Sequence, residues 1–309
     1  MRVTFLGTSG AVPTTRRNTS ALAVNRDGDR LLFDCGEGTQ RQMMRFGTGF
    51  AVDHVFVTHC HGDHVLGLPG LLQTLDFNDR EEALAVHAPH GTRSTVEGLT
   101  SVAGTDPSFP VRITRNGPGD TVLDRPEYEV RGVETDHRTR SLGYAIVEDD
   151  RKGRFDRETA EEELGIPPGP KYSTLHEGHP VEHDGRTVEP EEVVGPPRPG
   201  RRVVYTGDTR PTDAVVAAAE DADLLVHDAT FADDWAGRAR EMAHATAREA
   251  AAVAREAGAK RLALVHVSTR YAGDPSPIER QARAAFDGDV FVPDDGDQFE
   301  VPFPDAEDE

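Results

Sequence analysis

The sequence contains little cysteine and no long apolar run. Only two cysteines, Cys35 and Cys60, occur in 309 residues, which excludes a disulfide framework and favours a reducing, cytosolic setting. No stretch approaches the roughly 20 consecutive apolar residues that span a bilayer, and the apolar opening at 1–6 is too short for a secretory signal. We therefore expect a cytoplasmic protein without a membrane partner.

Lysine is also scarce. Of the 34 basic residues, only Lys152, Lys171 and Lys260 are lysines. Asp and Glu number 55, so the formal net charge is −21. This composition is typical of halophilic archaeal proteins, in which salt screens the repulsion between carboxylates. An acidic protein from a GC-rich genome is the alternative. The net charge argues against indiscriminate binding of nucleic acid, DNA included, but it leaves room for a local basic site.

Short apolar runs alternate with helix-like segments through most of the chain. The runs are bounded by Gly, Asn or Asp, which is typical of strands, and Thr246 with Glu249 forms a capping box that opens a helix. Both halves share this rhythm, which predicts an α/β (α+β) fold of two sheets covered by helices. We expect strands at 3–6, 22–24, 31–34, 55–58, 201–206 and 261–265, and helices at 38–46, 68–77 and 212–219.

Proline and glycine are concentrated in one segment. Residues 165–200 contain 8 of the 21 prolines and 6 glycines but few apolar residues. Such a stretch interrupts the fold, either as a functional arm or as a disordered loop. We therefore predict one domain over 1–309, with an arm inserted at about 151–200 and a solvated acidic tail at 303–309.

The strongest chemical signal is HCHGDH, which directly follows the strand expected at 55–58. Alternate residues at a strand end point to the same side, so His59 and His61 can bind one ion together. The following turn can aim Asp63 and His64 at a second position. Mixed His and Asp ligands suit zinc with an open coordination position, whereas a chance cluster of surface histidines does not explain the spacing.

Distant residues must complete such a site, and three candidates each follow a strand-like run. They are His137, Asp208 and His266. Taken singly, each is a weak signal, because a lone His after a strand is usually structural or solvated. Together with HCHGDH they form a plausible set of ligands for two metals.

These segments resemble the metallo-β-lactamase superfamily and, more narrowly, the ribonuclease Z (tRNase Z) family. HCHGDH alone indicates only the superfamily. The narrower resemblance depends on GEGTQRQ at 36–42, GIPPGPKY at 165–172 and HVSTRY at 266–271, and it runs nearly end to end. It implies an αββα four-layer sandwich of two mixed sheets flanked by helices, with a protruding arm.

The resemblance also implies two zinc ions per subunit. Asp63 would accept a proton from the attacking water, and His244 would donate one to the leaving group. Asp228 stands where the family usually has Glu, and it would orient His244, although its shorter side chain leaves that pairing open. The implied ligands are His59, His61, His137 and Asp208 for one zinc, and Asp63, His64, Asp208 and His266 for the other.

Further residues would bind the RNA, and for each of them the alternative is an ordinary solvated surface residue. A guanidinium close to the last ligand strand could clamp a phosphate with two hydrogen bonds. The implied contacts are Arg270 and Tyr271 beside that strand, Arg16, Arg17 and Asn18 along the path of the RNA 3′ end, and Gly169, Pro170 and Lys171 in the arm.

The function implied by the resemblance is removal of the 3′ trailer of precursor tRNA, which leaves a tRNA 3′-hydroxyl and a 5′-phosphorylated trailer. The alternative is a di-zinc phosphodiesterase or thioester hydrolase acting on a small substrate, which would have no need of the arm. A non-catalytic RNA-binding module is not favoured, because every ligand position holds a competent residue. We also expect a homodimer, with the amphipathic segment 38–46 at its interface.

Overall fold

The apolar runs of the N-terminal part form strands, and the segments between them form short helices. The computed structural model describes residues 1–101 and 106–305. Its first elements are β1 (Arg2–Gly7), β2 (Ala21–Arg26), β3 (Asp29–Phe33), α1 (Thr39–Phe46), β4 (His54–Phe56), α2 (Gly62–Val65), α3 (Leu68–Phe77), β5 (Leu84–Pro89), α4 (Arg93–Thr100) and β6 (Val111–Asn116).

The same alternation continues to the C-terminus. None of the helices in the described part of the chain is long and apolar enough to cross a membrane. The later elements are β7 (Thr121–Arg125), β8 (Tyr128–Val133), β9 (Gly143–Glu148), α5 (Pro170–His176), β10 (Val181–His183), β11 (Arg186–Val188), β12 (Arg202–Tyr205), α6 (Asp213–Ala218), β13 (Leu224–Asp228), α7 (Ala236–Met242), α8 (Ala247–Glu256), β14 (Arg261–Val265), α9 (Ser276–Arg283), β15 (Asp289–Phe291) and β16 (Gln298–Glu300).

The strands form two seven-stranded sheets. The first has the order β16-β1-β2-β3-β4-β5-β6, and the second has the order β15-β14-β13-β12-β9-β8-β7. In the first sheet β3 to β6 are mutually parallel, and in the second β12 to β15 are mutually parallel. The remaining pairs with a described register are antiparallel, so both sheets are mixed.

Apolar side chains divide the fold into four layers. Phe5, Phe33 and Phe56 of the first sheet share one core with Tyr144 and Val203 of the second, so the two sheets pack face to face. The outer face of the first sheet packs against α1, α3 and α4, and that of the second packs against α6, α8 and α9. This arrangement is the expected αββα sandwich, in which each buried face is removed from water by a neighbouring layer.

The chain divides into two compact units. The first comprises 1–147 and 201–302, and the second comprises 148–200 with 303–309. The second unit has a small core of its own and the hairpin of β10 and β11, so 165–200 is folded rather than a disordered loop. The sparse apolar residues of that segment did not predict this core, which consists of Ala160, Ile166, Leu175, Val188 and Val193.

The structure describes 303–305 of the expected acidic tail at 303–309, and these residues have partners. Asp305 accepts hydrogen bonds from Arg151 and from Arg198, the latter at 3.2 Å. The Arg151 guanidinium lies 3.7 Å from the centroid of the Phe303 ring. Opposite charges and the ring therefore attach 303–305 to the second unit, and 306–309 lie outside the described residues.

Candidate metal centre

The candidate ligands lie at the carboxyl ends of parallel strands, which is where open α/β sheets usually bind ligands. In the first sheet, β4 leads directly into HCHGDH. In the second sheet, Asp208 follows β12 and His266 follows β14. His137 lies between β8 and β9. Both sheets therefore contribute side chains to one site within the first unit.

The first group of side chains consists of His59, His61, His137 and Asp208. One potential ligand atom from each lies within 4.8 Å of the others. His61 Nδ1 is 2.9 Å from His59 Nε2 and 3.3 Å from His137 Nε2. Asp208 Oδ2 is 3.6 Å from His59 Nε2. The structure therefore brings together the four residues expected to hold the first metal.

The second group of side chains consists of Asp63, His64 and His266, and Asp208 lies against it as well. Asp63 Oδ2 is 3.2 Å from His266 Nε2. The two Asp208 oxygens lie 3.3 Å from His64 Nε2 and 3.3 Å from His266 Nε2. Asp208 is thus placed between the two groups, as expected for a residue that bridges two metals.

In four of the five rings the outer nitrogen orients the ring, because it donates a hydrogen bond away from the site. This leaves the inner nitrogen with a lone pair that points into the site, which is the arrangement found around metal ions. The four clearest bonds join His59 Nδ1 to Thr58 Oγ1 (3.1 Å), His64 Nδ1 to Asp34 Oδ2 (2.7 Å), His137 Nδ1 to the Ala243 carbonyl (2.8 Å) and His266 Nδ1 to Thr230 Oγ1 (2.8 Å).

These donor atoms fit a bound cation. Facing lone pairs of imidazoles repel one another unless a cation or a proton lies between them. Burial lowers the pKa of His59, His61 and His137, so each ring is neutral near pH 7, which is the form that binds metal. The buried Asp208 Oδ1 makes no hydrogen bond. A metal would satisfy this oxygen and the converging nitrogens together.

Asp34 supports the site, and the sequence reasoning did not single it out. It follows β3 with a left-handed backbone (φ 56°) and is fully buried. Its carboxylate accepts hydrogen bonds from the Thr58 amide (2.7 Å), the Tyr205 hydroxyl (3.0 Å) and His64 Nδ1 (2.7 Å). An acidic residue directly after the apolar run LLF was the available signal.

The first loop also supports the site. The Ala11 amide donates a hydrogen bond to Asp63 Oδ2 at 2.8 Å. A Cβ on Gly10 would lie 2.7 Å from the His266 ring, so only glycine allows the loop this close. Ala11 and His266 both have left-handed backbones, with φ of 66° and 59°. Strain of this kind is concentrated at functional sites.

His244 pairs with Asp228. The sequence had left this pairing open, because the side chain of Asp228 is shorter than that of the Glu expected there from the resemblance. His244 Nδ1 lies 2.7 Å from Asp228 Oδ2, and Thr230 donates to the other carboxylate oxygen from its amide and its hydroxyl. Burial opposes protonation of His244, but the charge and hydrogen bond of Asp228 raise its pKa to about 9. The ring lies 5.0 Å from that of His266, beside the metal ligands.

Two residues expected to contact RNA are occupied elsewhere. Arg17 is 2% exposed, and its guanidinium donates to Thr8 Oγ1 at 2.7 Å and to Asp294 at 2.6 Å. The Asn18 side chain is buried and donates to the Glu37 carbonyl at 2.8 Å. Both side chains therefore hold the first loop, and neither is free to make the predicted RNA contact in this structure. Arg16 in the same loop is exposed.

The remaining expected RNA contacts have different surroundings. Tyr271 is buried, and its hydroxyl accepts a hydrogen bond from the Ala232 amide at 3.1 Å, so its role is structural. Arg270 is exposed and lies over the ring of Trp235. The three arm residues Gly169, Pro170 and Lys171 lie in the second unit at the start of α5.

Comparison with known proteins decides the family. Residues 175–267 match the family described as "Beta-lactamase superfamily domain", and residues 1–96 match "Anti-Pycsar protein Apyc1". The chain is 68% identical to the ribonuclease Z of Haloarcula marismortui and 67% identical to that of Halorubrum lacusprofundi, with 99% of each chain covered. The chain belongs to the ribonuclease Z family.

A solved structure agrees with this assignment. The human tRNase Z, short form, is similar to this ribonuclease Z family member with a TM-score of 0.71 and 26% identity, over 98% of this chain and 100% of that chain. The family, the metallo-β-lactamase fold and the enzyme class expected from the sequence are thereby confirmed. The converging His and Asp side chains agree with a metal-dependent enzyme.

Proposed function

We propose that this ribonuclease Z family member cleaves precursor tRNA endonucleolytically and removes the 3′ trailer, leaving a tRNA 3′-hydroxyl and a 5′-phosphorylated trailer. The observation that carries the proposal is the pair of His/Asp groups joined by Asp208, with the His244–Asp228 pair beside them. The high identity to ribonuclease Z proteins over the whole chain selects RNA over a small substrate.

We infer that the cofactor is zinc, with two ions per subunit. One would be held by His59, His61, His137 and Asp208, and the other by Asp63, His64, Asp208 and His266. Nitrogen-rich sets with carboxylates suit zinc better than magnesium, which prefers oxygen ligands. When bound, such ions polarise the phosphodiester and lower the pKa of a water molecule.

Asp63 and His244 divide the proton transfers in this proposal. Burial alone would raise the pKa of Asp63, but its close contacts with His266 and then His64 hold it well below its usual range. Asp63 therefore orients the attacking water and accepts its proton only transiently, because a carboxyl group of low pKa does not retain a proton. His244, which Asp228 keeps protonated, donates a proton to the departing 3′-oxygen of the tRNA.

The second unit is proposed as the arm that grips the body of the tRNA. It is folded around its own core and exposes Gly169 and Pro170. Arg151 and Arg198 both form ion pairs with Asp305, which reduces the positive charge that they add to the surface of this unit. Recognition by shape, which suits a folded tRNA, is consistent with this modest charge.

We further propose a homodimer, in which the arm of one subunit grips the tRNA that the other subunit cuts. Met44 of α1, Leu66 after α2 and Phe77 of α3 are 69%, 54% and 86% exposed, which is unusual for large apolar side chains. Helices α1 and α3 both pack on the outer face of the first sheet, so Met44 and Phe77 belong to the same helical layer. A second copy of the chain would remove this surface from water.

A cytoplasmic location and a halophilic habitat complete the proposal. Both cysteines are free thiols, Cys35 buried and Cys60 half-buried, which suits a reducing compartment. The net charge of −21 and the halophilic relatives favour a salt-rich cytosol. We expect no DNA substrate, because the proposed recognition depends on the folded shape of a tRNA.

The decisive experiment is incubation of the purified protein with a 3′-extended precursor tRNA in molar salt, followed by mapping of both ends at the cut. We expect one cut after the discriminator nucleotide, loss of activity with a chelator and recovery with zinc. Asp208→Ala should lose both metals and the activity. Hydrolysis of small phosphodiesters or thioesters without any tRNA cleavage would favour the small-substrate alternative instead.

A further inference from the structure

Trp235 is the only tryptophan in the sequence, and it remains partly exposed. It ends a short 3₁₀ turn, Asp233–Trp235, and its side chain is 39% accessible to solvent. The Arg270 guanidinium lies 4.2 Å from the centroid of its ring, on one face. An exposed indole offers a ligand a large, rigid apolar surface together with a polar N–H group.

Several hydrogen bonds hold this turn in place. The Ala232 amide, which precedes the turn, donates to the Tyr271 hydroxyl at 3.1 Å. The Asp233 amide donates to Gln281 Oε1 of α9 at 2.7 Å, and the Asp233 carboxylate pairs with Arg248 of α8. The indole therefore starts from a defined backbone position, which reduces the entropy lost when a ligand binds.

A chain of contacts links this position to the candidate metal centre. Arg270 Nη1 lies 3.5 Å from Ser268 Oγ, and the Ser268 amide donates to the Thr230 carbonyl at 3.2 Å. Thr230 in turn accepts the hydrogen bond from His266, a proposed ligand. Trp235 thus contacts Arg270, and Arg270 is connected through Ser268 and Thr230 to the proposed ligand His266.

We propose that Trp235 stacks on an unpaired nucleobase of the RNA 3′ segment next to the scissile phosphate, with Arg270 holding the opposite face of the indole. This inference rests on the proposed tRNA activity, because it needs a single-stranded RNA at the site. Proteins that bind single-stranded RNA use aromatic side chains in this way, and a guanidinium on the other face completes a cation–π stack.

The acidic composition gives this contact particular value. Contacts to phosphate weaken steeply with salt, because the counterions released on binding gain less entropy when the solution is already rich in salt. Stacking buries apolar surface and has no such dependence. In a chain with a net charge of −21, an aromatic contact can position the RNA where electrostatic attraction cannot.

The first test uses the zinc-loaded Trp235→Ala protein. We expect the ratio of kcat/KM for 3′-extended precursor tRNA to that for bis(4-nitrophenyl) phosphate to fall by about 5- to 150-fold, the scale of base–aromatic stacking. Trp235→Phe should recover most of the ratio, and Arg238→Ala, an exposed change on α7, should leave it unchanged. A ratio equal to that of the wild type in Trp235→Ala would overturn the proposal.

The second test identifies the stacked base. Precursor tRNAs with a single abasic nucleotide at each of the two positions on either side of the cut are compared in both proteins. At one position the missing base should abolish the difference between the wild type and Trp235→Ala. A difference that persists with every abasic substrate would assign Trp235 a structural role and overturn the stacking.

The single indole also reports binding directly. Titration of the zinc-loaded protein with mature tRNA, and separately with a short single-stranded trailer RNA, should quench the tryptophan emission with the RNA that carries the stacked base, and Trp235→Phe should lack this signal. If the wild type cleaved no precursor tRNA, the proposed function would fail. Quenching by a short single-stranded RNA would then still decide the stacking, and its absence would overturn it.

Discussion

At the scale of single residues, buried aspartates position the histidine side chains of the candidate site. Asp34 holds His64, Asp228 holds His244, and Asp208 lies between the two groups of ligands. Each of these side chains is buried, and a buried carboxylate is stable only where hydrogen bonds or a metal replace the lost water. Substitution of any of them should therefore leave its partners unpaired and disturb the site.

His244→Ala tests the assignment of the proton donor. We expect kcat for precursor tRNA to fall by roughly 10²- to 10⁴-fold, the usual scale of general acid–base catalysis. The metal content should stay the same, because Nδ1 of His244 is committed to Asp228. The measurement combines steady-state kinetics with metal analysis of the same preparations. Loss of zinc from this variant would instead identify His244 as a ligand.

The sequence predicted which His and Asp side chains converge but not all of the groups that support them. His59, His61 and Asp63 lie within one short motif after an apolar strand, and such spacing carries its own chemical meaning. Asp34 and the Ala243 carbonyl, which accept hydrogen bonds from His64 and His137, come from distant segments. A backbone carbonyl cannot be recognised as a partner from the sequence. An exposed arginine and a buried one also look alike in sequence, which explains the error at Arg17.

At the scale of secondary structure elements, a line of polar side chains joins the two sheets. Arg125 of β7 donates to His54 Nε2 at 2.8 Å. Since arginine stays protonated, His54 must donate from Nδ1 to His87 Nε2 at 2.9 Å, and His87 must donate from Nδ1 to Thr114 Oγ1 at 2.8 Å. This order requires that both rings are neutral.

The stability of the fold should therefore depend on pH through His87. Burial, and then the neighbouring His54 and Arg125, lower its pKa to about 3. The unfolded chain takes up a proton near pH 6.5 and the folded chain does not, so this contribution is intact above pH 6.5 and is lost as the pH falls. From pH 7.5 to 5.0 it should reduce the free energy of unfolding by about 2 kcal/mol.

Urea denaturation at pH 7.5 and 5.0, at constant salt, measures this effect. In His87→Gln the decrease on acidification should be smaller than in the wild type by up to about 2 kcal/mol, because Gln carries no titrating group. His90→Gln alters an exposed histidine and serves as the control. An identical pH dependence in all three proteins would show that His87 titrates in the folded state as well.

Replacement of the arm separates binding of tRNA from the chemistry. The Gly195 amide donates to the Arg154 carbonyl at 2.9 Å, so a short Gly/Ser linker can replace 155–194 without moving its ends. Hydrolysis of a small phosphodiester should persist, and precursor tRNA cleavage should fall by orders of magnitude, because remote contacts contribute only to the large substrate. Equal losses of both activities would mean that the arm supports the site.

Most helices and strands were predictable from the sequence. The core of the second unit was not, for a physical reason. The expected helix at 38–46 is α1, which ends at Gly47 with φ of 70°, and the capping box of Thr246 and Glu249 opens α8. Local signals of this kind need no partner. The core of the second unit draws single apolar residues from scattered turns, so no periodic pattern marks it in the sequence.

At the scale of the whole molecule, the exposed apolar face of α1 and α3 predicts the oligomeric state. Phe77→Glu should convert the proposed dimer to a monomer, because the interface is symmetric and the change introduces two buried charges. Light scattering with size exclusion, in molar salt, measures the mass. Arg283→Glu on α9 is the control. A wild-type monomer, or a dimer that tolerates Phe77→Glu, would contradict this interface.

The pairing of Asp305 with Arg151 and Arg198 within the second unit has a consequence for synthesis of the chain. Asp305 and its partner Arg151 are 154 positions apart in the sequence. Residues 148–200 leave the ribosome first, and the chain as far as Asp305 takes about 5–20 s longer at roughly 5–20 residues per second. During that interval the first unit also gains its last strands. The segment proposed to grip tRNA therefore reaches its final form only after the strands of both catalytic sheets have been synthesised.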